Sequence, residues 1–457
     1  MFMPPSKCTT RTAVLLVFCT TCLVSIYSTL PRIARFWDSR RAENVIWRRR
    51  ETQHLDCARI LSGDKSYTAR FTGDSRIALV PNLRNLDMSC RAVQNRVYPF
   101  RYHLNRLKVG VTFARAVYKD YEFLEKQVQA SYHPSNSFCF VLDSDATDDF
   151  RWRMRRLARC LPNVHVLDDE LNLDSAGHFM NLAHFRCMEE MLDVPDWDYF
   201  VLMQNHDVIG KSIYEISRIF ELLDGANDVE IGEEVGRLDT SLKWDVKHLD
   251  LFRDESEVAP EYLNRTLTMA KGSVQGSLSR EAVDWMVRTV DPRKFLDQWN
   301  IGRYGVDEQW LATFQSSEFL EMPGHFTRQC LNFTGKRTDF ISRWSKWAFM
   351  DEKAEKCASQ TVRHGVCLLG IEDLPMVAQM PNIMFNKMLP SFDYSIVECT
   401  AELLFNRTFL GQEDHKLEED YYTNMVNVDY HKNRRKPDYK LNCTPGYEPW
   451  NSRKYPF

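Results

Sequence analysis

The chain has 457 residues, 44% hydrophobic and 12% aromatic, with 59 Lys and Arg against 63 Asp and Glu for a formal net charge of -4. That composition excludes a disordered chain and is enough for one large core or two moderate ones. It also excludes a global field that would recruit nucleic acid: clusters such as Arg48-Arg49-Arg50, or the arginines from Arg153 to Arg159, sit among acids and read as solvated faces.

No residue between Arg11 and Arg32 is charged, and Ala13 to Leu30 is mostly apolar. This matches a membrane span of ~20 residues better than a secretory leader. We expect a cytosolic tail over 1–11 and an uncleaved signal-anchor over 12–31; a leader cleaved after Ser28-Thr29-Leu30 is the alternative. Arg32, Arg35, Arg40 and Arg41 follow the span, and by charge alone they argue for a cytosolic body. Two features oppose them. Of thirteen cysteines, ten lie beyond the span and none of the ten forms a C-x-x-C pair, so disulfides are a better use than zinc. Asn264, Asn332, Asn406 and Asn442 each begin an N-x-S/T sequon. Together these place the body in the secretory lumen.

Residues 32–104, rich in Arg and polar side chains, read as a stem that Cys57 ties to the globular part. From Lys108 strands alternate with helices. Val109 to Phe113 is a strand; Val117, Tyr121, Leu124 and Val128 have helical spacing; Phe138 to Leu142 is a second strand. A basic helix from Phe150 to Cys160, a strand over Val164 to Leu167, a helix marked by Met180, Ala183, Cys187 and Met191, and a strand over Tyr199 to Met203 follow. Such alternation predicts an α/β fold with a mostly parallel central sheet flanked by helices. Ligands of such sheets bind off the carboxyl ends of the strands, which singles out Asp143-Ser144-Asp145 and Gln204-Asn205-His206-Asp207. No Gly-rich phosphate loop follows the first strand, against a dinucleotide fold or a P-loop enzyme. Beyond Gly225 the alternation weakens. Lys271-Gly272-Ser273, a helix over Glu281 to Val290 and the stretch Tyr304 to Phe314 form a second region, expected to make a cleft with the first.

Asp143-x-Asp145 after a strand suits a divalent ion on a diphosphate, or an Asx turn that closes the strand. Asp207 is either a ligand-positioning acid or the cap of the helix through Ile213, Ile216 and Phe220. His206 lacks a second histidine at ligand spacing and reads as a loop hydrogen-bonding group. In Tyr304 to Phe314, Asp307 is read as an N-cap, placing Glu308 in the first helical turn. Trp344 to Phe349 is either an aromatic platform for a sugar or packed core. Arg363 and Lys387 are single cations flanking the apolar Val366 to Gly370.

Taken in order, Cys139 to Asp143, Gln204 to Asp207, Lys271-Gly272-Ser273 with Ser279-Arg280, Val306-Asp307-Glu308, Pro323-Gly324, Lys346-Trp347, Val366 to Gly370 with Asp373-Leu374, and Phe385-Asn386-Lys387 resemble the core-2/I-branching family. These are β-1,6-N-acetylglucosaminyltransferases, grouped with peptide xylosyltransferases in glycosyltransferase family fourteen. The resemblance spans roughly Val109 to Asn406. It implies a GT-A-like catalytic domain over 105–410, a C-terminal extension over 411–457, and a Golgi enzyme with one span and a lumenal body. It implies Glu308 as general base, and Asp143, Arg363 and Lys387 at the donor, the two cations neutralising the leaving diphosphate so that no metal cofactor is expected. Asp145 stands where members often carry a basic residue, and metal binding there is kept as a minority reading. The acceptor falls to Trp347, Asp207 and Glu230, with Phe349 where some members have tyrosine. The implied disulfides are Cys57–Cys399, Cys90–Cys160, Cys139–Cys187 and Cys357–Cys367, leaving Cys330 and Cys443 either bonded together or free. The expected activity is inverting transfer of N-acetylglucosamine from UDP-GlcNAc in β-1,6 linkage to galactose or N-acetylgalactosamine, with a glycan on a glycoprotein or glycolipid as partner. A peptide O-xylosyltransferase using UDP-xylose and a catalytically silent lumenal glycan-binding protein are the alternatives.

Overall fold

Apolar runs without polar alternation suit strands covered on both faces, and they become the centre of the molecule: β1 (Val111–Val117), β2 (Ser137–Leu142), β3 (Val164–Val166) and β4 (Tyr199–Gln204). Every residue of β1 and β2 is buried. In this computed structural model residues 46–81, 86–98, 104–348, 357–411, 414 and 416–444 are described. The sheet order is β3-β2-β1-β4, all parallel, with the strand Ser277–Ser279 added antiparallel to β4. The protein is therefore α/β with a mostly parallel central sheet. The chain leaves β1 in one direction for β2 and β3, then returns to place β4 on the other side of β1. That reversal opens a crevice at the carboxyl ends of β1 and β4.

β1 begins two residues later than predicted and runs through Val117. At Gly110 a Cβ would lie 2.1 Å from the Asp196 carbonyl oxygen, so the chain makes a close crossing there before the strand starts. After Val117 the side-chain oxygen of Asn205 accepts from the amides of Tyr118 and Lys119 at 2.8 and 3.3 Å, turning the chain into the helix Tyr121–Ser131. The basic helix is Asp148–Cys160, capped by Thr147, whose hydroxyl accepts from the Phe150 amide. The helix Ile213–Leu223 is capped by Ser212 and Glu215 in a reciprocal capping box, so Asp207 is not its cap. The helix predicted over 281–290 is α-helical at Arg280–Asp284 and continues as a π turn over Trp285–Thr289.

Two compact units divide the chain, Met1–Arg48 and Arg49–Phe457. The expected tail and signal-anchor lie outside the described residues, and no helix among the described residues is long and apolar enough to cross a membrane. Residues 49–81, read as stem, belong to the second unit. The Arg49 guanidinium pairs with Glu122 at 3.2 Å, the Thr52 hydroxyl donates to Glu398 at 2.9 Å, and Arg76 pairs with Asp393 at 2.8 Å. The helix Val426–Asn433, in the expected C-terminal extension, belongs to it too, and Tyr430 joins a core cluster with Phe326 and Leu331. Five disulfides close this unit: Cys57–Cys399, Cys90–Cys160, Cys139–Cys187 and Cys357–Cys367, as the resemblance implied, and Cys330–Cys443. Among the sequons, Asn264, Asn332 and Asn442 are exposed and Asn406 is half-buried.

Candidate functional site

A cleft of about 380 Å³ lies at the carboxyl ends of β1, β2 and β4. Its floor is set by the polar run after β4. Asp207, wholly buried, accepts from the Gln204 amide at 2.7 Å, the Gln275 side chain at 3.0 Å and the Asn386 side chain at 2.8 Å. Its carboxylate has no surface to offer an acceptor; it acts behind the cleft, holding Gln204 and Asn386, which do line it. Arg115, buried beneath, donates to the carbonyls of Asn205 and Asp207, and burial pushes its guanidinium down to about 10. His206 pairs with Asp120 at 2.9 Å in the loop, with burial holding its pKa below the ordinary value.

The expectation for Asp307 and Glu308 is corrected. The helix there is Trp310–Ser316 with Gln309 at its N-cap position, and Asp307 caps nothing. Asp307 is instead turned into the cleft, where Gln204 donates to it at 3.5 Å. A Cβ at Gly177 would sit 2.3 Å from its carboxylate oxygen, so only glycine permits this approach. Burial first, then the neighbouring Glu308, pushes the Asp307 carboxyl up to about 7. Glu308 sits in the turn before the helix, half-buried, with its carboxylate 2.6 Å from the Arg237 guanidinium and 2.8 Å from the Lys271 ammonium. The Gly272 amide donates to the Glu308 carbonyl at 2.8 Å, and a Cβ at Gly272 would meet the Glu230 carbonyl oxygen at 2.0 Å. The motif Lys271-Gly272-Ser273 thus serves to bring a cation against Glu308. Glu230 lies 3.5 Å from Arg337, its carboxyl pushed up by burial, and Glu308 adds like-charge repulsion.

Across the cleft, a hairpin of Val362–Arg363 and Val366–Cys367 carries Arg363 at the rim, and Trp347 bridges to Val366. Arg363, Trp347, Lys387 and Asp143 line the same space. Burial lowers the Lys387 ammonium from its ordinary value, and repulsion from Arg363 and Arg343 adds to the effect. Asp143 accepts from the Asp145 amide at 2.9 Å, the Asx turn that was one of the two readings, and burial raises its carboxyl. Asp145 is exposed. Among the described residues no group of three or more His, Cys, Asp or Glu is placed to hold a metal ion. Trp244 is core, packed against Phe295 and Trp299. Phe349 lies outside the described residues. Glu308 and Glu230 are not among the residues that line the cleft. Two residues have no sequence signal, Arg343, which lines the cleft, and Arg237, which holds Glu308, since neither stands in a motif and each matters only through what the fold brings near it.

A family model described as Core-2/I-Branching enzyme matches residues 111–378, more than half of the chain. The beta-1,3-galactosyl-O-glycosyl-glycoprotein beta-1,6-N-acetylglucosaminyltransferase 3 of Rattus norvegicus is 25% identical over 313 residues, 66% of this chain and 70% of its own. Its counterpart from Homo sapiens is 24% identical over 335 residues, covering 70% and 74%. The X-ray structure of the mannosyltransferase Ktr4p from S. cerevisiae covers 60% of this chain and 79% of its own at 12% identity and a TM-score of 0.22, a likeness too slight to argue from.

Proposed function

This chain belongs to the Core-2/I-branching enzyme family and is a glycosyltransferase, and from that premise we propose that it transfers N-acetylglucosamine from UDP-GlcNAc, with inversion and in β-1,6 linkage, to a galactose or N-acetylgalactosamine of a glycan. In this reading the GT-A-like domain is a lumenal Golgi body anchored by the apolar segment at 12–31. The observation that carries the proposal is the division of charge across one crevice. Asp307 lines one side, with Glu308 next to it in the chain behind that lining and held by Arg237 and Lys271, and Arg363 and Lys387 lie on the other without an ion-pair partner among the described residues.

The chemistry follows from that division. Glu308 takes the proton of the acceptor hydroxyl as its oxygen bonds to the anomeric carbon. The bond from that carbon to the diphosphate oxygen breaks, and its electron pair leaves with UDP. Lys387, half-buried, and Arg363, at the exposed rim, stabilise the charge that develops there. Asp143 faces the nucleotide, Trp347 offers an apolar face to the acceptor sugar, Glu230 offers it a carboxylate, and Asp207 positions the floor.

The test measures UDP release by the full chain, with EDTA present, from UDP-GlcNAc and from UDP-xylose. Acceptors are O-glycan and lactosamine oligosaccharides and a Ser-Gly peptide. Acceptor-dependent, chelator-resistant release from UDP-GlcNAc that is lost in Glu308→Gln is the expected result. Release from UDP-xylose alone would transfer the assignment to peptide xylosylation, and nucleotide binding without turnover would leave a glycan-binding protein.

A further inference from the structure

A third cation, Arg343, faces the same cleft. It lies on the two-residue strand Arg343–Trp344, which runs parallel to Met384–Phe385 with Arg343 opposite Met384, and the Trp344 carbonyl accepts from the Asn386 amide at 2.9 Å. This pairing sets Arg343 beside the segment that carries Lys387. Its Nε is buried and has no hydrogen-bond partner, and no carboxylate among the described residues lies within ion-pair distance of its guanidinium. Other arginines with buried heads find oxygens: Arg115 and Arg280 donate to backbone carbonyls, and others hold carboxylates. Arg76 holds both Glu372 and Asp393, Arg96 holds Glu125, and Arg407 holds Glu215 and Asp414. Its charge repels that of Lys387 and attracts those of Asp307 and Glu230.

Three cations with no carboxylate partner on one wall repel one another, and an arrangement of this kind is stabilised when an anion binds. The donor supplies one negative charge on each of its two phosphates, a match for Arg363 and Lys387. On release, the terminal phosphate of UDP becomes a monoester with a second ionisation near pH 6, so the product carries nearly one more negative charge than the donor. We propose that Arg343 is a further catalytic residue, whose guanidinium contacts the leaving phosphate and answers the charge that appears there as the sugar–phosphate bond breaks. The bond from the anomeric carbon to the acceptor oxygen forms, the electron pair of the broken bond stays on the phosphate oxygen beside Arg343, and the acceptor proton goes to Glu308. Because the interaction grows along the reaction coordinate, it accelerates the step instead of tightening donor binding. This inference rests on the donor assignment above.

The experiment compares the full-length wild-type chain with Arg343→Gln and Arg343→Lys. Calorimetric affinities for UDP and for UDP-GlcNAc are measured along with kcat and donor KM. In Arg343→Gln the UDP affinity should fall by about tenfold or more, the UDP-GlcNAc affinity by less than about threefold, and kcat by about 10- to 100-fold with donor KM little changed. Arg343→Lys keeps the charge without the fork, so it should show the same ordering with smaller losses; it carries the test if the Gln variant does not fold. Equal losses for the two nucleotides, or none, in a chain whose wild-type form turns over would overturn the role of Arg343 alone. A wild-type chain that binds neither nucleotide would overturn it together with the donor assignment.

Discussion

Glu308, next to the cleft-lining Asp307, is already neutralised by its own molecule, with Arg237 and Lys271 both within 2.8 Å. On the other side Arg343, Arg363 and Lys387 hold no carboxylate among the described residues, and repulsion from both arginines helps burial lower the Lys387 ammonium. The first arrangement is complete without substrate and fixes where that carboxylate sits. The second is completed by whatever anion enters. A site built this way keeps the Glu308 carboxylate oriented at all times and leaves its unpaired cations for an anionic ligand.

Four changes would break or sharpen that contrast. Glu308→Gln should lower kcat by about 10²- to 10⁴-fold, the range for loss of a general base, with UDP affinity within about threefold of wild type; an equal loss of UDP affinity would mean that the two sides do not act separately. Arg363→Ala or Lys387→Ala should weaken UDP binding by about 10- to 100-fold, less so as salt is raised, because each removes a charge-assisted contact to an anion. Arg237→Ala leaves Glu308 with one anchor and should lower kcat by about three- to tenfold at unchanged UDP affinity.

The smallest effect concerns stability. The Asp307 carboxyl is pushed up to about 7 in the folded chain, against about 4 unfolded. Between those values the folded chain binds more protons. The contribution of Asp307 to stability is therefore full below about pH 4 and is lost as pH rises through 7. Relative to wild type, Asp307→Asn should gain on the order of 1 kcal/mol in melting experiments between about pH 4.5 and pH 8; parallel profiles would show that Asp307 ionises normally.

The sheet was legible because its signal is local. Apolar runs such as Phe138 to Leu142 need no distant partner to read as buried strands, and the polar runs behind them marked the crevice. The Asp307 assignment failed for an equally physical reason. An acid ahead of an apolar helical pattern looks like a cap, but the helix starts at Trp310, and the Asp307 carboxyl occupies the space that the missing side chain of Gly177 leaves open. Arg237 and Arg343 were invisible because their meaning is relational: the Arg237 partner, Glu308, is 71 positions away. Residues 49–81 read as stem because polar composition shows local character, whereas their attachment comes from Glu122, Glu398, Asp393 and Cys399 far along the chain.

The Cys57–Cys399 bond, whose ends are 342 positions apart, also sets a clock. During synthesis Cys57 emerges long before its partner exists. At roughly 5–20 residues per second, the interval is about 17 to 70 s. For that time its thiol must stay unpaired, or be released from temporary pairings, while Cys90, Cys139, Cys160 and Cys187 emerge around it. The longest closure of the molecule is thereby tied to the arrival of the helix Tyr394–Phe405, with only the Cys330–Cys443 bond still to be completed after it, and a chain that stalls before that helix keeps Cys57 without its native partner.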